Sequence, residues 1–185
     1  MAGFKTKVTP EIEKLTDICR DNTSLDLSLY AKYDVKRGLR DINGKGVLAG
    51  LTQVSNVQAT KMVDGKEVPC AGKLSYRGYD IKDLTRGFIQ DDRYGFEEVA
   101  YLLLFGKLPD QQQLMDFTEL LANQRSLPTN FVRDVIMKAP SRDIMNGLSR
   151  SVLTLYSYDH NPDDTSLPNV LRQCLNLISV FPLLS

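Results

Sequence analysis

Residues 95–121, GFEEVAYLLLFGKLPDQQQLMDFTELL, spell two helices and the stop between them, and no other stretch limits the fold as much. Phe96, Val99, Ala100, Leu103 and Leu104 recur at three- and four-residue steps, so they form a broad apolar stripe on one helix. Gly106 suits a left-handed C-terminal cap, and Pro109 beyond it prevents continuation. Asp110 is then placed to cap a second helix. Gln113 follows three residues later as in a capping box, and Leu114, Phe117, Leu120 and Leu121 face inward. Two apolar-striped helices joined by so short a link must pack against further helices.

Other segments supply them. Thr9 before Pro10 predicts an N-cap with proline at the first helical position, and Ile12, Leu15 and Cys19 share a face of a helix that stops near Asn22. A further helix is expected from about Pro128 to Met137. In SRDIMNGLSRSVLTLYSYD, residues 141–159, Ser141 is the expected cap, with Ile144, Leu148, Val152 and Leu155 on the buried side of a long central helix. Ser166 and Pro168 open the last helix. Residues 46 to 78 read differently, as short alternating runs around Asp64-Gly65, a strong hairpin signal. The fold expected is therefore mainly α, a helical bundle with a small N-terminal β hairpin region. No repeat, linker or low-complexity tract divides residues 1–185, which read as a single segment.

Composition narrows the function classes. Lysine plus arginine and aspartate plus glutamate each total 23, giving a formal net charge of zero. No basic field is available for nucleic acid or an anionic membrane surface. Cys19, Cys70 and Cys174 are too far apart for a zinc cluster and odd in number, which argues against a disulfide framework. The first residues, MAGFKTKVTPEIEKL, lack the apolar core of a signal peptide. With no run of about 18 consecutive apolar residues, the chain is expected in the cytoplasm. Its end, with Val180, Phe181, Leu183 and Leu184, exposes an apolar patch unless something covers it.

Single motifs carry little chemistry. Gly44, Gly46 and Gly50 approach dinucleotide-loop spacing, but one residue too many precedes the last glycine and no βαβ unit surrounds them, so a turn-rich loop is the better reading. Ser149 in GLSRS lacks the second glycine of a nucleophile elbow and sits inside a helix. His160 is the one histidine, between Asp159 and Asn161 after a helix end, where a loop or capping role fits better than catalysis. Asp163 and Asp164 read as a solvated turn, and no metal site is expected.

Three linked motifs say more. GVLAGLTQVSNVQ, GKLSYRGYDIKDL and FEEVAYLLLFGKLP, in that order, resemble the N-terminal part of citrate synthases and 2-methylcitrate synthases. Gly72, Leu74, Tyr76 to Tyr79, Phe96 to Leu104 and Leu108-Pro109 match the family pattern. The resemblance runs from about Val35 to Ser185, with SVLTLYSYDHNPDD similar to a bacterial branch. It implies part of the large helical domain, with the small domain and catalytic half absent, and an acyltransferase that condenses acetyl-CoA or propionyl-CoA with oxaloacetate. It also implies a homodimer, no tightly bound cofactor, and acetyl-CoA as a substrate of the parent enzyme. One departure stands out: many members carry His-Pro-Met where this chain has Asp143-Ile144-Met145. Members are more than twice as long, so the chain is expected to be a fragment.

Removing a proton from a thioester α-carbon needs a base and groups that stabilise the developing oxyanion. In the family an aspartate and two histidines do this. One histidine cannot fill two histidine roles, so no catalytic residue is assigned, the coenzyme-binding residues are unknown, and the isolated chain is expected to be inactive. The alternative is a naturally short, non-catalytic helical interaction or split-enzyme subunit. Arg77, between Tyr76 and Gly78, remains. Guanidinium forks suit carboxylates, yet the family's substrate arginines lie elsewhere. Tyr76 and Tyr79 offer stacking surfaces, and Asp80 and Asp83 offer charge partners. Arg77 therefore reads as structural, tying the hairpin to the following helix.

Overall fold

The computed structural model describes residues 7–26, 28–33, 39, 47–48 and 50–185. Among these the chain forms seven α-helices, one π-helical segment and a three-stranded sheet, the mainly helical fold expected. It divides into two compact units, one of Ile18–Asp110 and one of the residues up to Asp17 with Gln111–Ser185. The first dividing point falls inside helix α1, Pro10–Thr23. Thr9 caps that helix as read, its hydroxyl accepting from Ile12 N–H at 3.4 Å. The buried α1 residues are Ile12 and Thr16, the threonine hydroxyl donating back to the Ile12 carbonyl.

The Ile18–Asp110 unit contains α2, Ser28–Lys32, and an antiparallel sheet in the order β1-β2-β3. Strands β1, Ser55–Val63, and β2, Lys66–Tyr76, pair from Ser55↔Tyr76 to Val63↔Lys66, with an irregularity between Gln58 and Thr60. Asp64 and Gly65 turn the chain with φ of 51° and 76°, the two positive values a type I′ turn requires. A second tight turn at Arg77-Gly78 leads into β3, Tyr79–Asp80. Every residue of β1 is exposed. Asp80 then caps α3, Ile81–Gln90, by accepting from Lys82 N–H. Helix α4, Phe96–Phe105, ends at Gly106 with φ of 78°, as read from sequence. A Cβ there would also lie 3.0 Å from the Asn22 carbonyl oxygen.

The buried face of α4 differs from the expected stripe. Tyr101, Leu102 and Phe105 are buried, whereas Phe96 is 59% exposed. Nearly every α4 position after Glu98 is apolar, so periodicity could not select one face. The edge-on packing of Tyr101 on Phe105, centroids 4.5 Å apart, marks the side that is used.

The other unit holds α5, Gln111–Gln124, the π-helical segment Val132–Met137, α6, Ile144–Tyr156, and α7, Leu167–Leu184. One core cluster joins Phe131, Leu155, Val180 and Leu184, with Leu148 and Val152 packed against it. Two of the four terminal apolar residues are thus covered within the chain, while Phe181 and Leu183 stay exposed. Residues expected to form an ordinary helix after Pro128 wind as a π-helix. Asp143, not Ser141, caps α6: its backbone is extended and its carboxylate accepts from Asn146 N–H. Ser141 instead accepts from Asp143 N–H, which sets the turn into the cap. Ile144 follows directly at the helix start and is exposed.

Candidate functional site

Arg77 is where the sequence concentrated its question, and the structure gives it two tasks. Its φ is 49° and that of Gly78 is 88°, so a non-glycine residue holds the first central position of the turn, a conformation L-residues seldom adopt. Its side chain donates to the Leu103 carbonyl from Nε at 3.2 Å and from Nη2 at 2.8 Å. The helix it anchors is α4, not α3. Asp80 and Asp83 are engaged elsewhere, Asp80 by Lys82 N–H and by Lys73 at 3.9 Å, Asp83 by Arg86.

The last carbonyls of a helix have no partner within it, and the end of α4 shows how this chain supplies them. Leu102 O accepts from Gly106 N–H, Leu103 O from Arg77, and Leu104 O from the Cys19 thiol at 3.5 Å. Three separate segments meet on consecutive carbonyls. This arrangement fixes the position of the α4 end against the Arg77 turn and helix α1.

A second polar cluster lies between α6 and α7, and the sequence reading missed it. Arg172, fully buried, donates from Nη2 to both Asp159 oxygens at 3.0 and 2.7 Å and to Asn169 Oδ1 at 2.7 Å. Asn169 in turn donates to the carbonyls of Asn161 and Asp164, and Gln173 to that of Pro162. Burial pushes the Asp159 carboxyl up, but the Arg172 bond, the Asn161 N–H and the Arg172 charge outweigh it and hold the group below its ordinary range. A lone arginine in an otherwise uncharged 18-residue helix was the available sequence signal.

His160 lies on this loop, exposed to solvent. Its acidic neighbours are occupied: Asp164 accepts from Ser166 N–H, and Asp163 accepts from the Tyr156 hydroxyl, which raises that phenol's pKa. Ser149 is exposed along α6, as a helix-interior serine should be. Gly44 and Gly46 fall outside the described residues. An open cleft of about 520 Å³ beside the sheet is lined by Val57, Leu74, Ile81, Lys73, Lys82 and Asp80. Among the described residues no three His, Cys, Asp or Glu side chains are grouped to hold a metal ion. Asp80, the one carboxylate lining that cleft, is already held by Lys82 N–H and Lys73.

Comparison with known proteins settles the family. The family model described as citrate synthase, C-terminal domain, matches residues 39–185. The chain belongs to the citrate synthase family. It is 37% identical over 106 residues to 2-methylcitrate synthase 2 of Corynebacterium glutamicum, covering 57% of this chain and 22% of the relative. With 2-methylcitrate synthase 1 of the same organism it is 28% identical over 149 residues, 80% of this chain and 34% of the relative. The citrate synthase of Haloferax volcanii is 35% identical over 132 residues, 70% of this chain and 29% of the relative. The chain therefore spans about a fifth to a third of the length of these relatives. Within this citrate synthase family chain, the hairpin, the Arg77 turn, α4 and the Arg172 cluster all lie inside the matched region, whereas α1 and α2 precede it.

Proposed function

We propose that the chain supplies the leading part of the large helical domain of an acyltransferase that condenses acetyl-CoA, or propionyl-CoA, with oxaloacetate. The family match over residues 39–185 carries this reading. Deprotonating a thioester methyl group and stabilising the resulting enolate need convergent groups. The one histidine is solvent-exposed on a loop, and the arginine that invites a substrate role is bound to a helix carbonyl. No residue of this chain is therefore assigned to the reacting atoms, and the chain by itself is inactive in this reading. It acts in the cytoplasm as part of a homodimer, with acetyl-CoA as a substrate rather than a resident cofactor and no metal required.

Two assays test this. Incubated with acetyl-CoA or propionyl-CoA plus oxaloacetate, the chain is expected to release no thiol above background. Turnover at an ordinary enzymatic rate after removal of host enzyme overturns the assignment of no catalytic residue. Replacing the matching segment of the Haloferax volcanii citrate synthase with residues 39–185 is expected to leave a folded chimera with measurable condensation. A folded chimera with none would favour the non-catalytic interaction subunit.

A further inference from the structure

The cleft beside the sheet forms where regular strand pairing breaks. Gln58 pairs with Lys73 and Thr60 with Pro69, so Cys70, Ala71 and Gly72 of β2 stand opposite Ala59 alone. Extra residues on one strand bend it and interrupt the ladder, and such irregularities are common beside binding sites. Ala71 and Gly72 line the cleft. Neither backbone nor packing demands a glycine at 72: its φ is not positive, and a Cβ there would meet no atom within 4 Å. What the glycine does provide is bare backbone facing the cleft, which another molecule can approach closely.

The remaining walls divide into apolar and charged parts. Val57 and Leu74 are cross-strand partners, so their side chains share one face of the sheet, and Ile81 adds the first residue of α3. Val57 is 76% exposed, apolar surface that the chain itself leaves uncovered. Charge at the cleft comes from Lys73, Lys82 and Asp80. Asp80 and Lys73 lie 3.9 Å apart with both side chains partly solvated, a weak pairing from which the lysine is easily drawn. Among the described residues no carboxylate pairs with the Lys82 ammonium. We propose that the cleft binds a small organic acid with an apolar body. Its carboxylate is held by Lys82 and Lys73, and its hydrocarbon lies over Val57, Leu74, Ile81 and the bare backbone of Gly72. A volume of about 520 Å³ suits such a ligand, since small-molecule sites span roughly 300 to 1,000 Å³ and combine apolar walls with a few placed polar groups. This site is separate from condensation, and thiol release plays no part in its test.

Octanoate is the probe, with octanol as the control that lacks the charge and acetate as the control that lacks the body. Backbone amide chemical shifts of the isotope-labelled chain are followed during titration. Octanoate is expected to shift the amides of Ala71 to Leu74 and Asp80 to Lys82 saturably, in the millimolar range or tighter, and each control to bind at least tenfold more weakly. Lys82→Gln should weaken octanoate at least fivefold while leaving octanol unchanged. Gly72→Leu should fold with an unaltered melting temperature, because the space for its side chain is open, and should lose octanoate binding by filling the cleft. Should that variant fail to fold, Gly72→Ala with Lys73→Gln takes its place, with the same loss expected. Shifts that never saturate or that spread over the whole chain, octanol binding as tightly as octanoate, or a folded Gly72→Leu that binds as wild type would each overturn the proposal.

Discussion

Replacing Arg77 separates what its backbone costs from what its side chain contributes. The residue sits in the left-handed region at φ of 49°, which costs a non-glycine residue about 1 to 2 kcal/mol. Its guanidinium makes two bonds to the Leu103 carbonyl, and a hydrogen bond to a charged group contributes about 1.5 to 3 kcal/mol net. Arg77→Ala keeps the strain and removes the bonds, so a loss of about 1.5 to 3 kcal/mol is expected. Arg77→Gly removes both and should be the milder change by about 1 kcal/mol. Arg77→Lys keeps a charge but not the fork, and should fall between wild type and alanine. Urea unfolding followed by circular dichroism at 222 nm, roughly the helical minimum, gives all three values on one scale. An alanine variant within about 0.5 kcal/mol of wild type, or a glycine variant less stable than alanine, would refute the two-part account. An alanine change in the active chimera that left its melting temperature alone and raised KM for oxaloacetate would point to substrate binding instead.

Asp143→Ala should cost about 0.5 to 2 kcal/mol by removing the cap of α6, with Ser141→Ala costing less; equal losses in thermal melts would restore the serine as cap. Arg172→Met leaves Asp159 and the Asn169 carbonyl without their buried partner and should cost about 3 to 5 kcal/mol in urea unfolding, a figure that an unchanged midpoint would contradict. Because the folded Asp159 carboxyl lies below its ordinary value, its contribution is fully present above the unfolded pKa of about 4 and is lost as pH falls through the folded value. The stability gap between wild type and Asp159→Asn should therefore shrink below about pH 4, and a gap that widens on acidification would reverse the assignment.

The legible parts of this chain were those in which local chemistry alone decides the outcome. Asp64-Gly65 turns the hairpin because Asp and Gly adopt two successive positive φ values at little cost, and Gly106 ends α4 for a like steric reason. Thr9 and Pro10 start α1 through a side-chain acceptor and a fixed φ. Where several residues of one kind compete, sequence could not choose. Ser141 and Asp143 are both good caps, and the backbone at Asp143 gave the role to the carboxylate. Along α4 an almost continuous apolar run allowed several faces, and burial fell on Tyr101, Leu102 and Phe105.

Arg77 shows the same division within one residue. Its structural role was read from the tyrosines and carboxylates around it, but its partner did not follow, since Leu103 is 26 residues away. Charge pairing with Asp80 or Asp83 was the nearer option in sequence, yet exposed pairs contribute little, and those carboxylates serve a helix cap and a neighbouring arginine. An unpartnered helix carbonyl has more to gain from a cation than a solvated carboxylate does. That inequality directs Arg77 to the end of α4. The same inequality operates in α7, where Arg172, Asn169 and Gln173 take up the carbonyls and carboxylate of a loop that would otherwise leave polar groups buried without partners. In both places a charged side chain is occupied in closing the backbone of the scaffold.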